Sequence, residues 1–93
     1  MDLQKTLAFL EEVEGFSSKP YLDSKGVPTI GIGTVFYPDG SRVTMNDAEC
    51  TKAQAYAWAT DRITKDSSKI IEACLPFVPN DNQLIALLSF CYN

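Results

Sequence analysis

The stretch EGFSSKPYLDSKGVPTIGIGT, from Glu14 to Thr34, restricts the fold of this chain more than any other part. It joins the end of a helix to a small glycine-punctuated sheet, which makes the architecture α+β. Upstream, Asp2 is a suitable N-cap for a helix from Leu3 to Glu14, and Gly15 terminates it. At 100° per residue Leu3, Leu7 and Leu10 share a narrow apolar stripe flanked by Val13, and Glu14 falls in the middle of it. Downstream, Tyr21 to Asp23 and Val27 to Ile32 read as extended runs joined by a turn with Asp first and Gly fourth. Pro28 fits a central strand badly, so the sheet should be small and edge-like. Gly31 and Gly33 weaken the second run and let a backbone or a ligand approach closely. A dinucleotide loop is not what they form, because the third glycine and the helix after it are missing.

Beyond this stretch, Pro38, Asp39 and Gly40 form a turn signal between Thr34 to Tyr37 and Ser41 to Val43, which brings the sheet to three antiparallel strands. Thr51 and Gln54 then spell a capping box that opens a long helix from Lys52 to Leu75. Its apolar stripe is Tyr56, Ala59, Ile63, Ile70, Ile71 and Cys74, interrupted by Ser67 in a DSSK segment where a bend is expected. Trp58 points to the other side, toward another element or solvent. Pro76 and Pro79 follow the end of this helix. A last helix is expected from Asp81 to Tyr92 with Asn80 as cap, and it is apolar on nearly every side. Such a helix belongs inside a core, yet the chain ends at Asn93 without a C-cap or polar tail, so further structure is expected to surround it.

Composition narrows the function. A chain of 93 residues, 45% apolar and 22% charged, supports one soluble globular domain with one small core. A net charge of −4 and the lack of a basic run argue against nucleic acid and give no electrostatic attraction to an anionic surface. No apolar run is long enough to insert in a membrane, and the acidic residues of MDLQKTLAFLEEVEG disagree with a secretion signal, so a cytosolic product is expected. Cys50, Cys74 and Cys91 are odd in number and widely spaced, which favours reduced thiols over a disulfide framework or a metal cluster. The chain contains no histidine, so Ser-His-Asp and Cys-His nucleophilic sites and imidazole bases are excluded within it. Proton transfer, if this is an enzyme, falls to carboxylates.

The candidate site is Glu14, Asp23 and Thr29. A carboxylate among core-facing positions at a helix C-terminus is disfavoured as an anion by desolvation and by the negative end of the helix dipole, a condition suited to a general acid. Each residue also has an ordinary structural reading. Glu14 can simply reach water, Asp23 can open the turn by bonding its own backbone, and Thr29 can be a β-branched strand residue. Together they supply an acid, a second carboxylate and a hydroxyl, the set needed to cleave a glycosidic bond with an attacking water.

These residues also carry a resemblance. EGF at Glu14, YLDSKG around Asp23 and TIGIGT from Thr29, with separations of nine and six, are similar to the N-terminal signature of the phage-type lysozymes or endolysins, glycoside hydrolase family 24. YPDGSRVTM from Tyr37 and NQLIALLSFCYN from Asn82 resemble later blocks of its lambdoid branch. Thr34 stands where some relatives carry histidine, and relatives continue through several more helices where this chain ends.

The resemblance implies a lysozyme-like α+β fold, with residues 1–50 as a helix-plus-sheet lobe carrying the site and 51–93 as the long helix and the start of an incomplete helical C-terminal lobe. It also implies an inverting muramidase acting on the β-1,4 bond between N-acetylmuramic acid and N-acetylglucosamine. Glu14 would be the acid, Asp23 and Thr29 would hold and activate the water, and Tyr21, Gly31, Ile32 and Gly33 would contact substrate. It calls for no cofactor and no metal. The expected partner is a peptidoglycan strand, reached from the host cytoplasm after release by a holin-type protein. Two other readings stay open: a silent saccharide-binding or self-associating module, with a homo-oligomer through 81–92, and a lytic transglycosylase, which needs one catalytic glutamate and no water-activating aspartate.

Overall fold

Local capping fixes the helices. In the computed structural model, which describes residues 2–92, α1 spans Leu3–Glu14. Asp2 Oδ1 accepts the Lys5 amide at 3.2 Å, and Gly15 at φ 75° ends the helix. α2 spans Lys52–Cys74, opened by a complete capping box in which Thr51 Oγ1 accepts the Gln54 amide and Gln54 Oε1 accepts the Thr51 amide. α3 spans Asp81–Tyr92, and Asn80 and Gln83 exchange the same reciprocal pair of bonds, at 2.9 and 3.0 Å. The C-cap question at Asn93 lies outside the described residues.

The sheet is smaller than three strands. β1, Ser17–Leu22, pairs antiparallel with β2, Pro28–Gly31, so that Tyr21 faces Thr29 and Leu22 faces Pro28. The pairing is irregular between Ser17 and Tyr21, which accommodates Pro20 inside β1. The expected third strand is reduced to a Phe36–Arg42 bridge and a Val43 amide bonded to the Val35 carbonyl at 2.9 Å, around the turn at Pro38 to Gly40. Only Thr34, at the start of the first arm, bonds back to β2, and the arms otherwise bond to each other, so this pair does not extend the sheet.

The second extended run also stops earlier than Ile32. Ile30 and Thr34 exchange both backbone bonds at 2.9 Å, which folds Gly31, Ile32 and Gly33 into a tight reversal. Gly31 and Gly33 both sit at φ 67°, a region that side chains disfavour. The reversal drives Ile32 into the core, fully buried beside Ile30.

α2 is the axis on which the other elements pack. Its buried face is Ala55, Ala59, Ile63 and Ser67, so the stripe begins at Ala55 and not at Tyr56, and Ile70, Ile71 and Cys74 are only partly covered. Small side chains win at this position because β2 lies against it: a methyl on Gly31 would stand 3.1 Å from Ala55 Cβ. The helix is continuous through the DSSK segment, and Ser67 Oγ is buried there with no hydrogen bond among the described residues. α1 buries Thr6, Leu7 and Leu10 and leaves Val13 51% exposed. Glu11 ties α1 to the start of α2, bonded to Lys52 Nζ at 2.9 Å and to the Tyr56 hydroxyl at 2.8 Å. The Lys52 bond first, and the Tyr56 bond second, hold the Glu11 carboxyl below the usual carboxylate range.

α3 buries one stripe only, Leu84, Leu88 and Tyr92, spaced by four. Its other face leaves Leu87 and Phe90 exposed, and Leu75, Phe77 and Val78 in the segment before the helix are exposed as well. Among the described residues no helix is long and apolar enough to cross a membrane, and the three cysteines are free.

Candidate active site

A small cavity of about 130 Å3 opens between the end of α1, the β1–β2 turn and the last residue described in α3. Glu14, Tyr21, Asp23, Thr29, Gly33 and Tyr92 line it. Five of the seven residues singled out from sequence therefore meet here, from three separate stretches of chain. Gly31 and Ile32 do not. Gly31 is turned to α2, and Ile32 is buried with its carbonyl taken by the Tyr92 hydroxyl at 2.6 Å.

Each side chain is held by its local structure. Asp23 does open the turn: its Oδ1 accepts the amides of Lys25 at 2.8 Å and Val27 at 2.9 Å, while Gly26 closes the turn onto the Asp23 carbonyl. The structural reading and the chemical one are thus compatible, because one oxygen anchors the turn and Oδ2 accepts no hydrogen bond among the described residues. Thr29 is buried in β2, and its hydroxyl donates to the Val27 carbonyl at 2.9 Å, leaving the oxygen able to accept. Glu14 is half-buried and makes no hydrogen bond or ion pair among the described residues. Its Oε2 lies 3.4 Å from where a methyl on Gly33 would be, so glycine at that position lets the carboxylate close onto the backbone.

Electrostatics mark the same spot. Burial first, then the charges of Glu14 and Asp23, push the Tyr21 phenol above its usual range, so one hydroxyl feels both carboxylates. Burial chiefly raises the Tyr92 phenol to about 12, with Glu14 adding to the shift and Arg62 opposing it. Among the described residues no group of three Asp, Glu or Cys side chains is arranged to hold a metal ion.

Tyr92 was missed by reading the sequence, which assigned it to the apolar helix. It lies under the Arg62 guanidinium, 4.1 Å from the ring centroid. Arg62 also donates to the Cys91 and Tyr92 carbonyls at 3.0 and 3.2 Å and pairs with Asp66 at 3.4 Å. The end of α3 is thereby clamped against the back of the Gly31 to Gly33 reversal. No local signal reports this, since Tyr92 and Ile32 are 60 residues apart.

The sequence model of the phage lysozyme family matches residues 11–93, most of the chain and all of the cavity. The chain belongs to this family. Among solved structures, an endolysin from Escherichia coli O157:H7 phage FAHEc1 superimposes with a TM-score of 0.81 at 33% identity, over 100% of this chain and 58% of its own. A putative phage endolysin from S. enterica gives 0.70 at 25%, over 95% and 84%. A mutant P22 lysozyme gives 0.68 at 27%, over 96% and 60%. This chain thus spans about three fifths of the length of the first and last of these structures. No curated protein sequence matches it. The α+β fold expected from the sequence is that of the family, with its sheet of two strands.

Proposed function

We propose that this chain carries the reacting half of a peptidoglycan hydrolase. Membership in the phage lysozyme family and similarity to structures named as endolysins support the substrate class. The observation that carries the reading is the joining of Glu14, Asp23 and Thr29 in one cavity, with the Glu14 carboxyl and Asp23 Oδ2 free of protein partners among the described residues.

In this reading Glu14, as the acid, gives its proton to the glycosidic oxygen between N-acetylmuramic acid and N-acetylglucosamine as the bond to the anomeric carbon breaks. A water on the opposite face of the sugar, accepting from nothing but donating to Asp23 Oδ2 and Thr29 Oγ1, attacks that carbon. Asp23 takes its proton, and the configuration inverts. An inverting site needs its two carboxyls about 6.5–9.5 Å apart to admit that water, and the anchoring of Asp23 Oδ1 in the turn fixes one of the two. Protons then return through solvent.

The test is release of reducing ends from purified peptidoglycan by this chain and by Glu14→Gln. Release by the parent alone is the expected result, with the variant slower by at least about 10². Anhydro-muramic products in place of reducing ends would reassign the reaction to a lytic transglycosylase, and no release from either protein would leave only saccharide binding.

A self-associating form is favoured by one specific observation, the exposure of the large apolar side chains Leu75, Phe77, Val78, Leu87 and Phe90 within one short segment of chain. A second copy docked on this face would cover them. Sedimentation as a monomer at micromolar concentration removes that reading.

A further inference from the structure

The sequence suggested no electrostatic attraction to an anionic polymer, but its cations are not spread evenly. A second, larger groove of about 540 Å3 continues from the small cavity, sharing Asp23, Lys25, Val35 and Tyr92 with it, and runs between the Phe36 to Arg42 hairpin and α2. Five of the eight cationic side chains but only three of the twelve acidic ones line this groove, giving it +2 in a chain of −4.

The pairing within it is more informative than the sum. Lys65 is spent on Asp61 at 2.8 Å, and Arg62 on Asp66 and the end of α3. The third acid, Asp23, is the reacting carboxylate at the groove's inner end. Lys25, Arg42 and Lys69 have no carboxylate partner among the described residues, Arg42 lying only against the Phe36 ring at 5.4 Å. Two aromatic rings line the same groove. Tyr37 and Trp58 meet edge to face at 5.0 Å, and the Tyr37 hydroxyl is committed to Asp47 at 2.6 Å, so its ring is held in place. Burial, then the Asp47 bond, lifts that phenol to about 12, so it stays neutral at ordinary pH.

We propose that this groove is a glycan subsite that reads carboxylates: Tyr37 and Trp58 support a sugar ring, and Lys25, Arg42 and Lys69 receive the carboxylate borne by a substituent of the strand. The inference rests on the peptidoglycan reading and deepens it. A strand of alternating sugars in which every second one carries a lactyl group, free or extended by a peptide, offers such a carboxylate at each repeat. A neutral N-acetylglucosamine oligomer offers none. A groove lined by two aromatic rings and by three cations without a carboxylate partner among the described residues therefore selects for the substituted polymer, next to the cavity that holds the reacting carboxylates.

Trp58 is the only tryptophan, so its fluorescence reports occupancy directly. Binding is titrated in the non-reacting Glu14→Gln background with three probes: a neutral N-acetylglucosamine oligomer, glycan strands stripped of peptide, and strands with intact peptides. At about 50 mM salt the carboxylate-bearing strands should bind about tenfold tighter than the neutral oligomer, and the gap should shrink as salt rises. Adding Arg42→Glu and Lys69→Glu should erase the gap while leaving the neutral oligomer within about twofold, which shows that the groove is still folded. Preference for stripped strands assigns the lactyl carboxylate as the ligand, and preference only with peptides assigns the peptide carboxylates. Equal binding of neutral and charged strands, or a preference that survives both charge reversals, overturns the proposal. Reducing-end release by the parent without any such preference sinks the subsite and spares the hydrolase, whereas preference without release does the reverse.

Discussion

The stretch from Glu14 to Thr34 is poor in apolar residues and the segment from Leu75 to Tyr92 is rich in them, yet the richer one leaves more of them uncovered. In the first, Ile30 and Ile32 are fully buried while Phe16 and Leu22 stay exposed, and Asp23 and Thr29 are held by turn bonds at a cavity. In the second, one stripe of α3 is buried while Phe90 stays 82% exposed and Val78 64%. The difference lies in what is available to pack. The glycine reversal is sandwiched between α2 and Tyr92, whereas α3 has α2 on one side and nothing described on the other. Burial follows neighbours, not hydropathy.

The sharpest way to break this comparison is within α3 itself. Leu88→Ala, on the buried stripe, should cost about 2–5 kcal/mol by denaturant melt, since it removes a fully covered side chain and leaves a cavity. A loss under 1 kcal/mol would mean that α3 does not pack as described.

Alkaline pH probes the contact that joins the two regions. The folded Tyr92 phenol is raised to about 12 against an ordinary value near 10, so the unfolded chain loses its proton first. Stability is therefore full below about pH 10 and falls by about 2 kcal/mol as pH approaches 12. Tyr92→Phe should flatten that part of the pH profile, and an unchanged slope would show that other groups carry it.

Gly33→Ala tests the reversal. A methyl there meets Tyr92 Cε1 at 3.0 Å and Glu14 at 3.4 Å in a backbone at φ 67°, so a loss of about 1–2 kcal/mol is expected. Reducing-end release should fall by more than the stability loss explains, because the clash displaces Glu14. The smallest effect belongs to the open face: Phe90→Ser should change stability by less than about 0.5 kcal/mol while lowering the binding of a polarity-sensitive dye. A large loss would reveal a partner for that face.

Much of this was legible beforehand. Asp2, Gly15, the Thr51–Gln54 box and Asn80 set the helix ends because a cap is made with residues three or four positions away. The turn from Asp23 to Gly26 was readable for the same reason, and the hairpin it closes returns Thr29 opposite Tyr21, while the meeting of Glu14 with Asp23 and Thr29 in one cavity needs the fold. The third strand was overcalled because turn chemistry at Pro38 to Gly40 reports a reversal but not whether its arms reach a neighbouring strand. The buried line of α2 runs through Ala55 with Tyr56 only partly covered beside it, because helical periodicity fixes a direction only to within one residue.

The sequence alone determined where each helix starts and stops and which residue types could do carboxylate chemistry, because those depend on short-range bonds and on composition. Only the tertiary structure decided that Tyr92 closes the back of the site across 60 residues, that Glu11 spends its charge on Lys52 and Tyr56, and that the cations of an acidic chain gather in one groove. Those outcomes depend on which surfaces meet, and a pattern within one element carries no information about the element it will face.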